Sequence, residues 1–486
     1  MNWIKRLFGS KPTPPPEVHK RGFSAAQASR LTASWSASPT TVNQDLQRGL
    51  KALRARSRDL ARNNDYARSF VRMAVRNIVG PEGFGLQVQA PRPDGTIDEQ
   101  DSNYIEAAFW RWAKRGSCEV TGQHSFLTLC RVLVETLARD GEVLIRRVKG
   151  RGPFGYQLQL IDPSLLDEAL NSQLSEQKRI VMGVEVDEWG AAQAYHLRQP
   201  SSYGPLHKRI PADEIWHVFL PLEIGQQRGV PWMTTGMLRL NMLAGYEEAA
   251  VTAARVGAAK MGFFTQSEDA PDGHGIGTAD TAGNLITDAE PGTFEALPAG
   301  WDFKSFDPDY PHALYGQFVK SCLRGISAGL GVSYNGLASD LEGVNYSSIR
   351  AGLLEERDEW MALQSWLIDA VLSPLYSEWL PLAMLSGQLN LPMAKLAKFD
   401  NARWQGRRWA WVDPLKDMQA SVLAIENGLS TWTDVLTGMG VDPQDFRRRF
   451  ERDLDEWGPL LARIKQMNTP AKAGVSASGG NDAKDE

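Results

Sequence analysis

PDYPHALYGQFVKSCLRGISAGLGVSYNGLASDLEGVNYSSIRAGLLEERDEW, residues 308–360, is the stretch on which the fold turns. From about Pro311 to Gly329 the pattern predicts a helix carrying Gly316, Ser321, Gly325 and Gly329. Small residues let helix backbones approach closely, so this helix should pack against another. A loop, GVSYNGLASDLEGVNYSS (331–348), follows, and Gly331, Gly336 and Gly343 leave its backbone conformational freedom. Asn345 or Ser347 is placed to cap the next element, a long amphipathic helix over 346–372. Its expected buried line is Ile349, Leu353, Trp360, Leu363, Leu367 and Val371, with Glu355, Glu356, Asp358 and Glu359 outward.

Working outward, residues 232–260 predict a second helix of the same texture, with Gly245, Ala249, Ala253 and Gly257 four apart. The Gly/Asp/Pro/Thr-rich segment 262–305 between the two helices reads as a projecting loop or hairpin. Before them, from Glu142 to about Leu220, alternation in Val143/Ile145, Tyr156/Leu158/Leu160, Val184/Val186 and Tyr195/Leu197 predicts a sheet-bearing module. Helices are expected over 43–62, broken by Asn63-Asn64, then over 65–79 up to Gly80-Pro81, and over 98–115 and 124–139. Near the C-terminus three more are expected, at 415–427, 431–437 and 443–467, ended by Gly428, capped by Thr431 and opened by Asp442-Pro443.

The chain has 486 residues, 42% hydrophobic and 23% charged, close to globular averages, which excludes a mostly disordered or fibrous protein. The length allows several structural units. Residues 1–80 carry 15 Lys/Arg against 4 Asp/Glu, leaving 38 against 54 in the remainder, so a +11 part adjoins a −16 body. Such asymmetry suggests parts that face different partners, although Arg48, Lys51, Arg54, Arg56, Arg58 and Arg62 also fit the wet face of one helix. Cys118, Cys130 and Cys322 form no CxxC pair, so neither a disulfide framework nor a cysteine zinc site is expected, and a reducing cytoplasm suits them. No stretch reaches the ~18–20 apolar residues of a membrane span, and MNWIKRLFG leads into KPTPPPEV without the apolar run of a secretory signal.

Most signatures of chemistry are absent from the sequence. It has no GxxxxGK[ST], HExxH or GxSxG. A glycine phosphate loop built on Gly275 and Gly277 would need a third glycine where Asp280 stands. Asp307, Asp309 and His312 could converge on a metal, but helix capping ahead of Pro311 is the simpler reading. The seven histidines form no i, i+4 pair; His196 and His217 share the β region. Trp404, Trp409 and Trp411 interleave with Arg403, Arg407 and Arg408, a pattern that suits either base stacking or a packed protein–protein contact; the second is preferred because the surrounding segment is not basic.

Three stretches together resemble the lambda-type portal proteins of tailed bacteriophages: RARSRDLARNNDYARSFVRMAVRNIVGPEGFGLQ (54–87), the 308–360 stretch above, and WAWVDPLKDMQASVLAIENGLSTWTDVLTGMGVDPQDF (409–446). The resemblance implies an α+β portal fold, divided here into a flexible N-terminal arm (1–42), a wing (43–231), a first stem helix (232–260), a clip (261–308), a second stem helix (309–330), a tunnel loop (331–345), a long wing-spanning helix with its return (346–408), a crown (409–467) and a disordered tail (468–486). It implies a dodecameric ring of identical subunits at one capsid vertex, a channel for packaging and ejecting double-stranded DNA. The implied partners are the terminase large subunit, which supplies the ATPase, the major capsid and scaffold proteins, and the head-tail connector proteins. No catalytic residue, metal, cofactor or membrane is implied, and the location is the virion, with the host cytoplasm during assembly.

Within that resemblance the channel residues are Tyr334, Asn335, Leu337, Asp340 and Glu342 of the tunnel loop and Lys320 and Arg324 of the second stem helix. Tyr334 and Leu337, as the bulky members, are expected to touch DNA or the adjacent loop, and Asp340 and Glu342 to discourage sticking by repulsion. Lys320 and Arg324, four apart, either make weak phosphate contacts or pair with an acidic residue of the next subunit. The alternatives are a metal-dependent nucleic-acid enzyme using an acidic pair such as Asp307/Asp309, and another structural protein of the head.

Overall fold

A computed structural model describes residues 30, 37–199, 206–258, 262–266, 278–279, 285–286, 301–305, 314–411 and 413–468. Most of the arm expected over 1–42, most of the 261–308 segment and the tail after 468 lie outside the described residues, as do Asp307, Asp309 and His312.

The described chain begins with α1 (Val42–Asn63) and α2 (Asp65–Ile78), separated by a single residue. Asn64 accounts for the break. It is extended, and its Oδ1 accepts the amide of Ala67 at 2.9 Å, starting the second helix. After β1 (Gly85–Val88) come α3 (Glu99–Trp112) and α4 (Phe126–Asp140), each started by a side-chain cap, Asp98 and Ser125. Gly141, at φ 86°, ends α4 in the left-handed region and turns the chain directly into β2 (Glu142–Lys149).

The β region resolves into two antiparallel sheets. The strand β2 lies between β3 (Tyr156–Ile161) and β9 (Ile215–Phe219) in a three-stranded sheet. Between these, β4 (Ser172–Gln173), β5 (Arg179–Val181), β6 (Val184–Val186), β7 (Ala192–Gln199) and β8 (Leu206–Pro211) form a five-stranded meander. Val184, Tyr195 and Leu197, from the predicted alternation, share one small core between the sheets with Leu144 and Ile215, while Val143 and Ile145 face the larger core.

Two long helices follow, α5 (Met237–Ala258) and α6 (Tyr315–Leu330). The first starts five residues later than the sequence pattern suggests, because Pro231–Gly236 form turns whose amides at Thr234 and Gly236 bond to Pro231 and Met233. Between them β10 (Gly262–Gln266) pairs antiparallel with β13 (Trp301–Ser305), and β11 (Thr278–Ala279) pairs with β12 (Leu285–Ile286). The close helix approach falls at one end only. A Cβ on Gly329 would meet Thr235, one on Gly236 would meet Ile326 and Leu330, and one on Gly325 would fall within the Arg239 guanidinium. Farther along, Tyr246 stacks on Tyr315 with centroids 5.6 Å apart. Gly245 and Ala249, in contrast, are exposed, and Gly245 has no atom near its notional Cβ among the described residues.

The loop after α6 contains a short helix, α7 (Tyr334–Ala338), and leads into α8 (Tyr346–Leu367). That helix does not stop near 372: it passes through a π turn over Ile368–Leu372 and continues as α9 (Ser373–Leu385), with Pro374, which has no N–H to donate, directly after the π turn. Only the C-terminal part of the predicted line is deeply buried, at Trp360, Leu367 and Val371; Leu353 is 36% exposed. The chain then crosses α10 (Leu396–Phe399) and β14 (Ala402–Gln405), which pairs with β1. It ends in α11 (Pro414–Glu426), α12 (Trp432–Gly438) and α13 (Pro443–Asn468). Thr431 and Asp434 form a capping box, and Asp442 accepts the amides of Gln444 and Asp445, as predicted.

Three of the sixteen tryptophans, Trp112, Trp379 and Trp404, meet in one aromatic cluster. Phe109 meets Trp379, Phe126 and Trp404 edge-on at 5.1–5.6 Å, and Trp112 and Tyr156 complete the group. It ties α3, α4, β3, α9 and β14 into a single core, each such ring pair adding about 0.5–1.5 kcal/mol beyond its buried area. Trp404 therefore belongs to the core. Trp409, half-buried, donates Nε1–H to Asn77 and is flanked by Arg357 and Arg407 at 5.7 and 5.5 Å. For buried Trp404 the preferred reading as a protein–protein contact is corrected; Trp409 packs within the chain on one side and stays half-exposed.

Candidate functional site

Residues 331–345 are folded against α2 and α6. Ser333 is extended and its Oγ accepts the amide of Gly336, which starts α7. Leu337 points into the core and is 2% exposed, and its carbonyl accepts from Ser69 Oγ at 3.1 Å. Gly336 lies so close to Met73 Cε and Ser333 Oγ that a Cβ there would force both to shift. The expectation that Leu337 reaches outward is thus corrected: a leucine in this turn is worth more buried against α2. Leu341 is the bulky exposed member of the loop, at 68%.

The polar residues converge on α6. Tyr334 Oη donates to Asp340 Oδ2 at 2.6 Å, and the Glu342 amide donates to Asp340 Oδ1 at 2.9 Å. Lys320 Nζ reaches both carboxylates, Asp340 at 3.3 Å and Glu342 at 2.9 Å. Arg324, one turn on, sits over the Tyr334 ring at 5.5 Å. The Tyr334 hydroxyl, the Glu342 amide and Lys320 hold the Asp340 carboxyl down at about 2. Hydrogen bonds to Glu342 and then Asp340 raise the Lys320 ammonium above its usual value. Five of the seven predicted channel residues therefore form one exposed ionic cluster of two cations, two carboxylates and a phenol. Asn335 stands apart, lining a cleft of about 390 Å³ with Met73, Ile349 and Trp360. Both carboxylates that pair with Lys320 in this conformation come from its own chain. Asp340 and Glu342 are correspondingly not bare negative charges.

A second charged cluster escaped sequence reading. Glu142, fully buried, accepts from Arg54 Nη2 at 2.6 Å, Arg228 Nη2 at 2.6 Å and the Gly229 amide at 2.7 Å, with His217 Nε2 at 2.9 Å. Burial alone would raise its pKa, but Arg228, Arg54 and His217 outweigh it and hold the carboxyl well below the usual range. Arg58 similarly engages Asp140 at 2.7 Å and Asp162 at 2.6 Å. Arg54 and Arg58 thus leave the wet face assigned to them. The spacing Leu50, Arg54, Ser57, Ala61 carried the signal, because Arg54 falls on the buried side of α1. His196 bonds Glu185 instead, so the two β-region histidines serve separate carboxylates. Among the described residues no group of three or more His, Cys, Asp or Glu could hold a metal, and no helix is long and apolar enough to cross a membrane.

The family model described as phage portal protein, lambda family, matches residues 28–364. A "Probable portal protein" of Halomonas phage phiHAP-1 is 34% identical over 483 residues, spanning 96% of this chain and 92% of its own. "Portal protein B" of Escherichia phage lambda is 25% identical over 490 residues, 92% of this chain and 90% of its own. A solved structure described as "Neck of native GTA particle computed with C12 symmetry" covers 80% of this chain and 94% of its own at 13% identity and TM-score 0.43, too loose a likeness to bear on how the parts are arranged.

Proposed function

The chain belongs to the lambda family of phage portal proteins, and from that premise we propose that it assembles as a dodecameric ring at one vertex of the capsid and conducts double-stranded DNA during packaging and ejection. In this reading α1 to β9 build the wing, α5 and α6 the stem, the β10–β13 segment the clip, residues 331–345 the tunnel loop, α8 with the return to β14 the wing-spanning part, and α11–α13 the crown. The clip meets the terminase large subunit, which brings the ATPase, and later the connector proteins; the outer surface meets major capsid and scaffold proteins. The subunit itself catalyses nothing. The single observation that carries the proposal is the match over 28–364, a range that takes in both long helices, the loop and most of α8.

The geometry suits a conduit. Each phosphate neutralised by Lys or Arg releases counterions and adds affinity, so a bore of free cations would hold its cargo. Lys320 and Arg324 are balanced by Asp340 and Glu342, and the cluster carries no formal net charge. Gly245 and Ala249, exposed in one subunit, provide a surface on which a neighbouring helix can seat closely. Electron microscopy of the purified protein together with its solution mass tests the proposal. Rings with an axial hole wide enough for a duplex are expected. A monomer or dimer that persists with scaffold protein present and across a salt series would overturn it.

A further inference from the structure

On the face of α2 turned away from Phe70 and Ala74, Arg68, Arg72 and Arg76 follow one another at intervals of four. They line a groove of about 540 Å³ with Arg131 of α4 and Arg407 from the segment after β14, where Glu135 is the one acid. Arg68 has a long contact of 3.5 Å to Glu135, whereas Arg72 and Arg76 are exposed and form no ion pair among the described residues. Arg131 is fixed by the carbonyls of Gly80 and Pro81, and Arg407 by the carbonyl of Arg76 and by Asn77 Oδ1. Partial burial, and then the nearness of Arg76 and Arg357, lower the Arg407 pKa. Guanidinium groups in this density are suited to carboxylates, which they grip in pairs of hydrogen bonds.

The matching acids are on the same chain. On α8, Glu355, Asp358 and Glu359 are exposed and form no ion pair among the described residues, while Trp360, Gln364 and Leu367 occupy the buried side. Glu355 and Glu359 are four apart, as are Arg72 and Arg76, and four residues of helix advance about 6 Å in both cases. An acidic row and a basic row on different helices, with the same pitch and, Arg68 apart, no ion pair among the described residues, describe the two halves of a head-to-tail contact, which closes into a ring when the rotation between copies allows it.

We propose that the Arg68–Arg72–Arg76 groove of one subunit receives the Glu355–Asp358–Glu359 face of α8 from a second copy of this chain, forming a charged seam repeated around the ring. The inference rests on the ring reading above and adds to it the residues that set the register. A duplex could also occupy a basic groove, but the acid row would then be left unmatched at every subunit boundary.

The test is charge reversal on the full-length chain, with ring formation followed by sedimentation and electron microscopy at low salt. Arg72→Glu with Arg76→Glu, and separately Glu355→Arg with Glu359→Arg, should each raise the concentration at which rings half-form by about tenfold or more, the effect of one lost charge pair per boundary. All four changes together should recover most of that loss. Should a reversal variant fail to fold, the corresponding Gln variants keep the comparison: each weakens assembly, and the two sides combined cost less than their sum. One-sided variants that assemble like the wild type, or a four-fold variant no better than its parents, overturn the seam. So do Arg variants that form normal rings but retain duplex DNA less well, which would make the groove a nucleic-acid face. A wild type that never forms rings contradicts the ring reading itself, and one that stops at a dimer sensitive to the same swaps keeps the contact while rejecting the ring.

Discussion

Glu142 and Asp340 each stand at the centre of a cluster of opposite charge, and their surroundings make them different kinds of part. Glu142 is fully buried, with Arg54, Arg228, His217 and the Gly229 amide around it, and Arg228 also donates to the carbonyls of Met182 and Leu166. This cluster fastens α1, β2, β9 and the chain leading to α5 to one another. Asp340 lies at the surface with Tyr334 and Lys320 as partners, and its neighbours Leu341 and Glu342 are exposed. Water competes for every bond in the second cluster and for almost none in the first. Burial turns the same chemistry into a fixed clamp in one place and an exchangeable latch in the other.

The clamp should be the most sensitive to substitution. Glu142→Ala leaves Arg54 and Arg228 buried without their counterion, at a cost of about 3–5 kcal/mol read from denaturant midpoints. A loss of less than about 1 kcal/mol would mean that the charges can reach water. The pH dependence follows from a depressed carboxyl. Its stabilisation is complete above the unfolded carboxylate range and is lost only as pH falls through the lower folded value. The clamp's contribution should therefore stay level between neutrality and mild acid.

Gly141→Ala should come next. The residue has φ 86°, and a Cβ there would fall within the backbone of Val230 and Pro231, beside the clamp. Left-handed strain alone costs about 1–3 kcal/mol, and the clash adds to it. A smaller loss in the unfolding midpoint would show that the Val230 segment can move aside.

Glu106 falls between the two extremes. Burial first, and then Asp442 and Asp445, push its carboxyl up to about 7, against the Val88 amide and Arg448. A raised carboxyl has the opposite sign: its protonated form stabilises the fold at low pH, and that contribution is lost as pH rises toward 7. Glu106→Gln should thus stabilise the protein by about 1–2 kcal/mol at alkaline pH, less whatever water screens, and by little in acid. Equal effects at both ends would show that Glu106 titrates normally.

Lys320→Ala, in the latch, should leave the unfolding midpoint unchanged while amide exchange over 331–345 quickens. A lowered midpoint would place the latch with the clamp.

What the sequence made legible divides along the same line. The small residues at Gly325 and Gly329, the caps at Thr431 and Asp442 and the alternation around Val184 are local patterns, and the structure uses them as read. The residues of the Lys320–Asp340 cluster were legible as a group because they lie within 23 positions of one another, from Lys320 to Glu342. Their pairing was not, since ion pairs across a loop leave no periodic trace. Leu337 was misplaced because a loop leucine gives no sign of which neighbour will cover it. The clamp was missed because Glu142, His217 and Arg228 come from separate segments and Arg54 sits among surface arginines. Arg72 and Arg76 on α2 and the acid row on α8 look like ordinary solvated faces until both are seen to form no ion pair among the described residues.

The most direct measurement is hydrogen–deuterium exchange on the assembled protein at low salt, with and without linear duplex DNA. If the latch is an exchangeable part of a DNA channel, amides over 334–345 exchange quickly and change rate when DNA is present, while those of β2 and β9 around Glu142 stay protected in both states. Loop amides as slow as the strands and indifferent to DNA would contradict the account.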